Sequence, residues 1–238
     1  MATQAQKTST ASSNPMPLII FAFSLFMSAS LMFAVQPMVG KMLLPLAGGT
    51  PASWVVAMAF FQIALLFGYM LAWIMSRFNV VIHTLLLVAL LGLGFVFLPV
   101  KITEYGHILE TRGIAPGSIF MVLLFAVGLP FTALSTVSST LQRLFTATNH
   151  KDANDPYFLY AASNGGSMLG LFSYPLLIEP LLSLHLQSSY WQYVYGGLIV
   201  MCLVCLSFAR SKQTDEKSAT SKTTAKKKKN ENREAANE

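Results

Sequence analysis

The sequence predicts an all-α, polytopic membrane bundle of about six transmembrane helices, with both termini cytoplasmic. Three observations point there. Charged residues make up only 11% of the 238 and hydrophobic ones 54%, whereas soluble domains carry roughly 25% charge to wet their surface. Nine of the sixteen Lys and Arg lie from Arg210 onward, so the preceding body is poorer still in charge. That body divides into apolar runs, each near the roughly 20 residues that a helix needs to cross a bilayer. None alternates with period two as a membrane-barrel strand does. Backbone in lipid must satisfy its own hydrogen bonds, so runs of this kind are helices.

Residues 1–15 are polar and predicted disordered. The first span runs from about Met16 to Val35. A signal peptide with Ser28 and Ser30 near its cleavage site is the rival reading, but the run is long for one and only Lys7 precedes it. The second span covers about Ala52–Met75, the third Val80–Leu98, the fourth Gly117–Leu141, the fifth Tyr157–Leu182 and the sixth Trp191–Ala209. A polar stretch, Lys101–Gly113, separates the third and fourth. Pro130 and Pro175 lie inside runs and predict kinks. Residues 16–209 therefore form the membrane domain, and 210–238 a basic, disordered cytoplasmic tail.

Orientation follows the placement of Lys and Arg. Six spans put thirteen of them on the side of the termini and three on the other, Lys41, Lys101 and Arg112. The formal charge of +6 belongs to the tail, including the block Lys226–Lys229. It implies solubilisation, topology and attraction to anionic lipid, and no nucleic-acid partner. Cys202 and Cys205 form a C-x-x-C inside an apolar run. Zinc needs more ligands and a redox pair an accessible helix start, so both read as buried thiols.

Three segments depart from plain span composition. Residues 35–50 are apolar but carry two prolines, three glycines, Gln36 and Lys41. A break in the helix is expected there, with Lys41 either snorkelling to the interface or meeting a ligand or partner. In the fifth span Asp155 before Pro156 reads as an N-cap with proline at the first position. Ala162, Gly166 and Gly170 share one face and suit close helix packing. Asn164 in mid-span needs a hydrogen-bond partner, as interhelical glue or as a substrate ligand. Glu179 is expected to pair with Lys41, because both belong near the outer face. The fourth span ends in a hydroxyl-rich face, Thr132 to Thr140, followed by Gln142. Those hydroxyls can satisfy carbonyls freed by Pro130, bond across helices, or line a polar path.

No Gly-rich phosphate loop follows a strand, no His/Cys cluster has metal spacing, and no nucleophile elbow or paired carboxylates occupy a plausible pocket. His83, His107, His150 and His185 are scattered over connections and span ends. No catalytic role, metal or cofactor is predicted.

The stretch Val35-Gln-Pro-Met-Val-Gly-Lys-Met-Leu-Leu-Pro-Leu-Ala-Gly-Gly-Thr-Pro-Ala-Ser-Trp54 resembles the first membrane motif of bacterial fused major-facilitator/spermidine-synthase proteins. Phe60-Phe61-Gln62, Gly128-Leu129-Pro130-Phe131, Asp155-Pro156-Tyr157-Phe158-Leu159-Tyr160 and Tyr174-Pro175-Leu176-Leu177-Ile178-Glu179-Pro180 continue the likeness, which covers about residues 17–209. The resemblance implies the bacterial inner membrane and a bundle like one half of a major-facilitator carrier. It also implies small-solute, polyamine-related transport or binding. Family members usually carry a soluble aminopropyltransferase-like domain after the spans. The lysine-rich tail stands in that place here, so that activity is not carried over.

Three functional readings follow, of which the third, a membrane enzyme acting on its own, is the least favoured because no catalytic constellation is present. The first is a transporter-like module, with Gln36, Lys41, Gln142, Asn164 and Glu179 facing the bundle interior. The second is a non-catalytic membrane subunit or anchor for a separately encoded enzyme or larger complex, touching it through the small-residue face around Gly166 and the tail. Besides the lipid bilayer, the expected partner is a second copy or another membrane or soluble protein. A polar cavity lined by Asn164, Gln36 and the fourth-span hydroxyls would favour transport. A dry, close-packed bundle would favour the subunit.

Overall fold

The computed structural model describes residues 15–148, 150, 151, 153, 155 and 157–234, with side-chain burial described up to Ala209. The predicted disorder of the N-terminus and the placing of Pro156 at a helix start fall outside the described residues. No strand occurs among the described residues. The helices are α1 (Met16–Ala47), α2 (Pro51–Met75), α3 (Val80–Phe95), α4 (His107–Arg112), α5 (Pro116–Leu123), α6 (Leu129–Ser135), α7 (Val137–Thr146), α8 (Tyr157–Ser173), α9 (Glu179–Leu181) and α10 (Leu184–Glu234). Four stretches are long and apolar enough to cross a membrane: α1, α2, Pro116–Thr146 and Leu184–Ala209.

Local chemistry sets the starts. Thr50 caps α2 by accepting from the Ser53 N–H at 3.3 Å, and Pro51 takes the first position, where a missing N–H costs nothing. Asn79 caps α3 through the Ile82 N–H at 2.8 Å. The Asp155 carboxylate accepts from the Tyr157 N–H at 3.4 Å at the head of α8.

The two prolines expected to kink the spans, Pro130 and Pro175, sit at or beside π turns. α5, the π turn Leu124–Gly128, α6 and α7 form one rod, and Pro130 comes two residues after that π turn. The second π turn, Tyr174–Ile178, contains Pro175 and joins α8 to α9. A proline ring clashes with the carbonyl four residues back, and widening one turn gives it room without ending the helix.

One expectation is corrected. The segment 35–50 does not break: α1 stays helical to Ala47 with Pro37 and Pro45 inside it, and stops at Gly48, whose φ is 71°. Val35, Met38, Val39, Met42 and Leu43 are buried there, so packing holds a stretch that propensity disfavours. At 32 residues α1 is about 48 Å long, well beyond a hydrocarbon core of about 30 Å. At the other end the α10 backbone continues to Glu234. No proline or glycine occurs after Gly197 to stop it.

The rod is the most enclosed element; every residue from Pro130 to Val137 is buried. It packs on α2 through edge-to-face pairs Phe60–Phe120 and Phe61–Phe131. α3 and α10 flank it, and α1 touches its end through Phe21–Phe145. α8 lies outermost, packed mainly against α1. α1 and α10 run antiparallel: Ser24 meets Cys205, and the Trp191 indole donates to the Leu31 carbonyl at 3.0 Å. Both cysteines are buried and unbridged.

Candidate functional site

α8 meets α1 through glycine. Gly166 lies against the main chain of Phe26 and Gly170 against that of Ser30, so closely that a Cβ at either would collide with α1 backbone. The Ser30 hydroxyl donates to the Gly166 carbonyl at 2.9 Å across the same seam. Ala162 is half-buried on that face. The matched spacing, four residues on each helix, makes α1 and α8 parallel. Farther along, the Lys41 ammonium donates to Glu179 Oε1 at 2.5 Å, both side chains being partly exposed.

Between α1, the α8–α9 arm and α10 lies a cleft of about 370 Å³. Its lining includes Met27, Ala34, Met38, Ile178, Tyr190 and Trp191. Three polar side chains of its wall are engaged within the protein. The Tyr174 hydroxyl donates to Gln187 Oε1 at 3.1 Å, and the Gln187 amide donates to the Leu182 carbonyl at 2.8 Å. Ser173 donates to the Gly170 carbonyl at 3.4 Å.

The five polar residues predicted to face the interior do not converge there. Lys41 and Glu179 meet each other at the end of the α1–α8 seam. Gln36 is half-buried, and its amide reaches only the Met32 carbonyl of its own helix at 3.4 Å. Gln142 donates to the Ser138 hydroxyl, again on its own helix, at 3.2 Å. Asn164 is exposed, and its side chain makes no hydrogen bond among the described residues. The reason is angular. Two residues along an α-helix turn it by about 200°, so a face that gives Gly166 to α1 turns Asn164 away from it.

On the hydroxyl face of the rod, Thr132, Ser135, Thr136 and Thr140 are buried. Ser135 donates to the Thr132 carbonyl at 2.7 Å, Thr136 to Ala133 at 2.7 Å and Thr140 to Thr136 at 2.9 Å. This back-bonding satisfies those three hydroxyl donors inside the helix.

One polar cluster escaped the sequence reading. Arg143, at the end of α7, donates from Nη1 to His83 Nδ1 at 2.8 Å and from Nη2 to the Phe78 carbonyl at 3.0 Å. A guanidinium only donates, so the His83 hydrogen sits on Nε2, which donates to Thr140 Oγ1 at 3.0 Å. The ring is thus a neutral connector between α3 and the rod. Its signal was available. Consecutive antiparallel spans bring the start of the third and the end of the fourth to one side, and those ends carry His83 and Arg143. Among the described residues no group of three His, Cys, Asp or Glu could hold a metal ion.

No family model, curated protein or solved structure matches the chain.

Proposed function

We propose that this protein is a non-catalytic membrane subunit or anchor that binds a protein partner through the outer face of α8. The observation that carries this reading is Asn164. It lies on an exposed face of a helix in the middle of the bundle's span, without a side-chain partner among the described residues. An amide facing lipid is costly, and polar side chains in membranes are ordinarily met by another helix. Ala161 and Gly165 flank it on the same exposed side, and a Cβ at Gly165 would meet nothing. A partner helix could approach closely there. The surface first expected to take the partner, around Gly166, is already covered by α1.

The bundle has six spans in this reading, with both termini cytoplasmic in a bacterial inner membrane. α3 and the continuous helical arm Tyr157–Leu181 join the four long apolar stretches. Parallel α1 and α8 need an odd number of crossings between them, which α2, α3 and the rod supply. Antiparallel α1 and α10 return the chain to its starting side. The thirteen-to-three division of Lys and Arg makes that side cytoplasmic. A polar-solute carrier fits less well, since the polar candidates do not converge and three of the rod's buried hydroxyls donate to their own helix.

Affinity purification of the tagged full chain in mild detergent from its native host, with mass spectrometry, tests the proposal. A stoichiometric partner lost on Asn164→Leu is the expected result. A lone chain, or a partner indifferent to that substitution, would overturn it and return solute transport to first place.

A further inference from the structure

A cleft beside Trp191 lies between α1, the α8–α9 arm and α10. We propose that it holds one acyl chain of a zwitterionic phospholipid whose headgroup rests on the Lys41–Glu179 pair; the proposal rests on the membrane-spanning reading above. Size selects a slender guest. A dry cavity of about 150 Å³ accepts a benzene ring, so 370 Å³ suits a hydrocarbon chain. A helix with side chains is about 10 Å or more across and does not fit. The walls select an apolar guest, because Tyr174, Gln187, Ser173 and Ser30 have their polar atoms engaged within the protein. The cleft also opens sideways: Phe23, Leu169 and Tyr190 on its rim are exposed.

The headgroup assignment comes from charge. Met38 and Ile178 line the cleft. Lys41 lies one turn beyond Met38, and Glu179 directly follows Ile178. Their ion pair uses one ammonium hydrogen and one carboxylate oxygen, with each side chain more than a third exposed. The remaining N–H donors suit a phosphate, and Glu179 Oε2 suits a headgroup ammonium. Opposite charges side by side match a zwitterion better than a headgroup of one sign.

Trp191 provides the readout, since its ring lines the cleft and is only 5% exposed. In the full chain, Trp54→Phe and Trp73→Phe leave it as the sole tryptophan. Reconstitution into nanodiscs containing phosphatidylethanolamine with brominated acyl chains should quench its fluorescence. Ala34→Phe, or Ser173→Leu on the opposite wall should the first not fold, should abolish that quench while the helical circular dichroism persists. A small fraction of the brominated lipid should quench more in a phosphatidylglycerol host than in unbrominated phosphatidylethanolamine, and Lys41→Ala with Glu179→Ala should erase the difference. No quenching, or quenching equal in the filled variants, means that only annular lipid approaches and overturns the proposal. Equal quenching in both hosts overturns the headgroup assignment. Failure of the chain to enter bilayers at all would instead sink the membrane-spanning reading.

Discussion

Lys41 and Glu179, separated by 138 residues, form an ion pair at 2.5 Å where the α1–α8 seam ends. The seam begins with Gly166 on Phe26 and Gly170 on Ser30, so the pair completes a parallel register that the glycines set. Close packing fixes the distance between the helices, and the charges oppose sliding along it.

Charge reversal tests the pair. Lys41→Glu or Glu179→Lys alone puts like charges together and should destabilise the protein by on the order of 1 kcal/mol, the modest scale of partly exposed pairs. The double reversal should recover most of that loss. Thermal unfolding of the four proteins in one detergent at low salt gives the cycle; no recovery would mean that the contact contributes nothing.

The glycine seam should be far less tolerant. Gly166→Leu forces α8 off the α1 backbone and should cost about 1–3 kcal/mol or more, as overpacking does. Gly165→Ala, one residue away in open space, should leave the isolated chain as stable or up to about 1 kcal/mol more so. Denaturation midpoints of the two variants beside the parent decide it, and equal losses would contradict the packing described.

His83 should matter through its neighbours. His83→Leu strands a hydrogen of the half-buried Arg143 and should cost on the order of 1 kcal/mol, the low end of the penalty for leaving a buried polar group unpaired. Adding Arg143→Leu removes the stranded donor and should return part of that stability. A double variant as unstable as the sum of the singles would show that the two side chains act independently.

Asn164→Leu should leave the melting temperature of the purified chain nearly unchanged, since substitution at an exposed position lies within about 0.5 kcal/mol. Co-purification of the partner should disappear. A large loss of stability in the isolated chain would place Asn164 in an internal contact instead.

Much of this was legible in the chain itself. Low charge and run length fix helices and approximate ends, because lipid leaves the backbone few alternatives. Spacing marked Ala162, Gly166 and Gly170 as one face, and end-of-span position made Lys41 and Glu179 partners. The same helical geometry could have shown Asn164 to be turned from that face. It could not say which face α1 would cover.

The sequence by itself determined the solvent this protein occupies and the elements it builds, since apolar length and backbone hydrogen bonding are local properties. Tertiary structure decided the rest. Packing carried α1 through Pro37 and Pro45, because neighbours outweigh a lost backbone bond. It also joined His83 to Arg143 across 60 residues and opened a cleft between α1 and two helices that come much later in the chain. Those outcomes depend on which faces meet, and that choice is made by the whole bundle together.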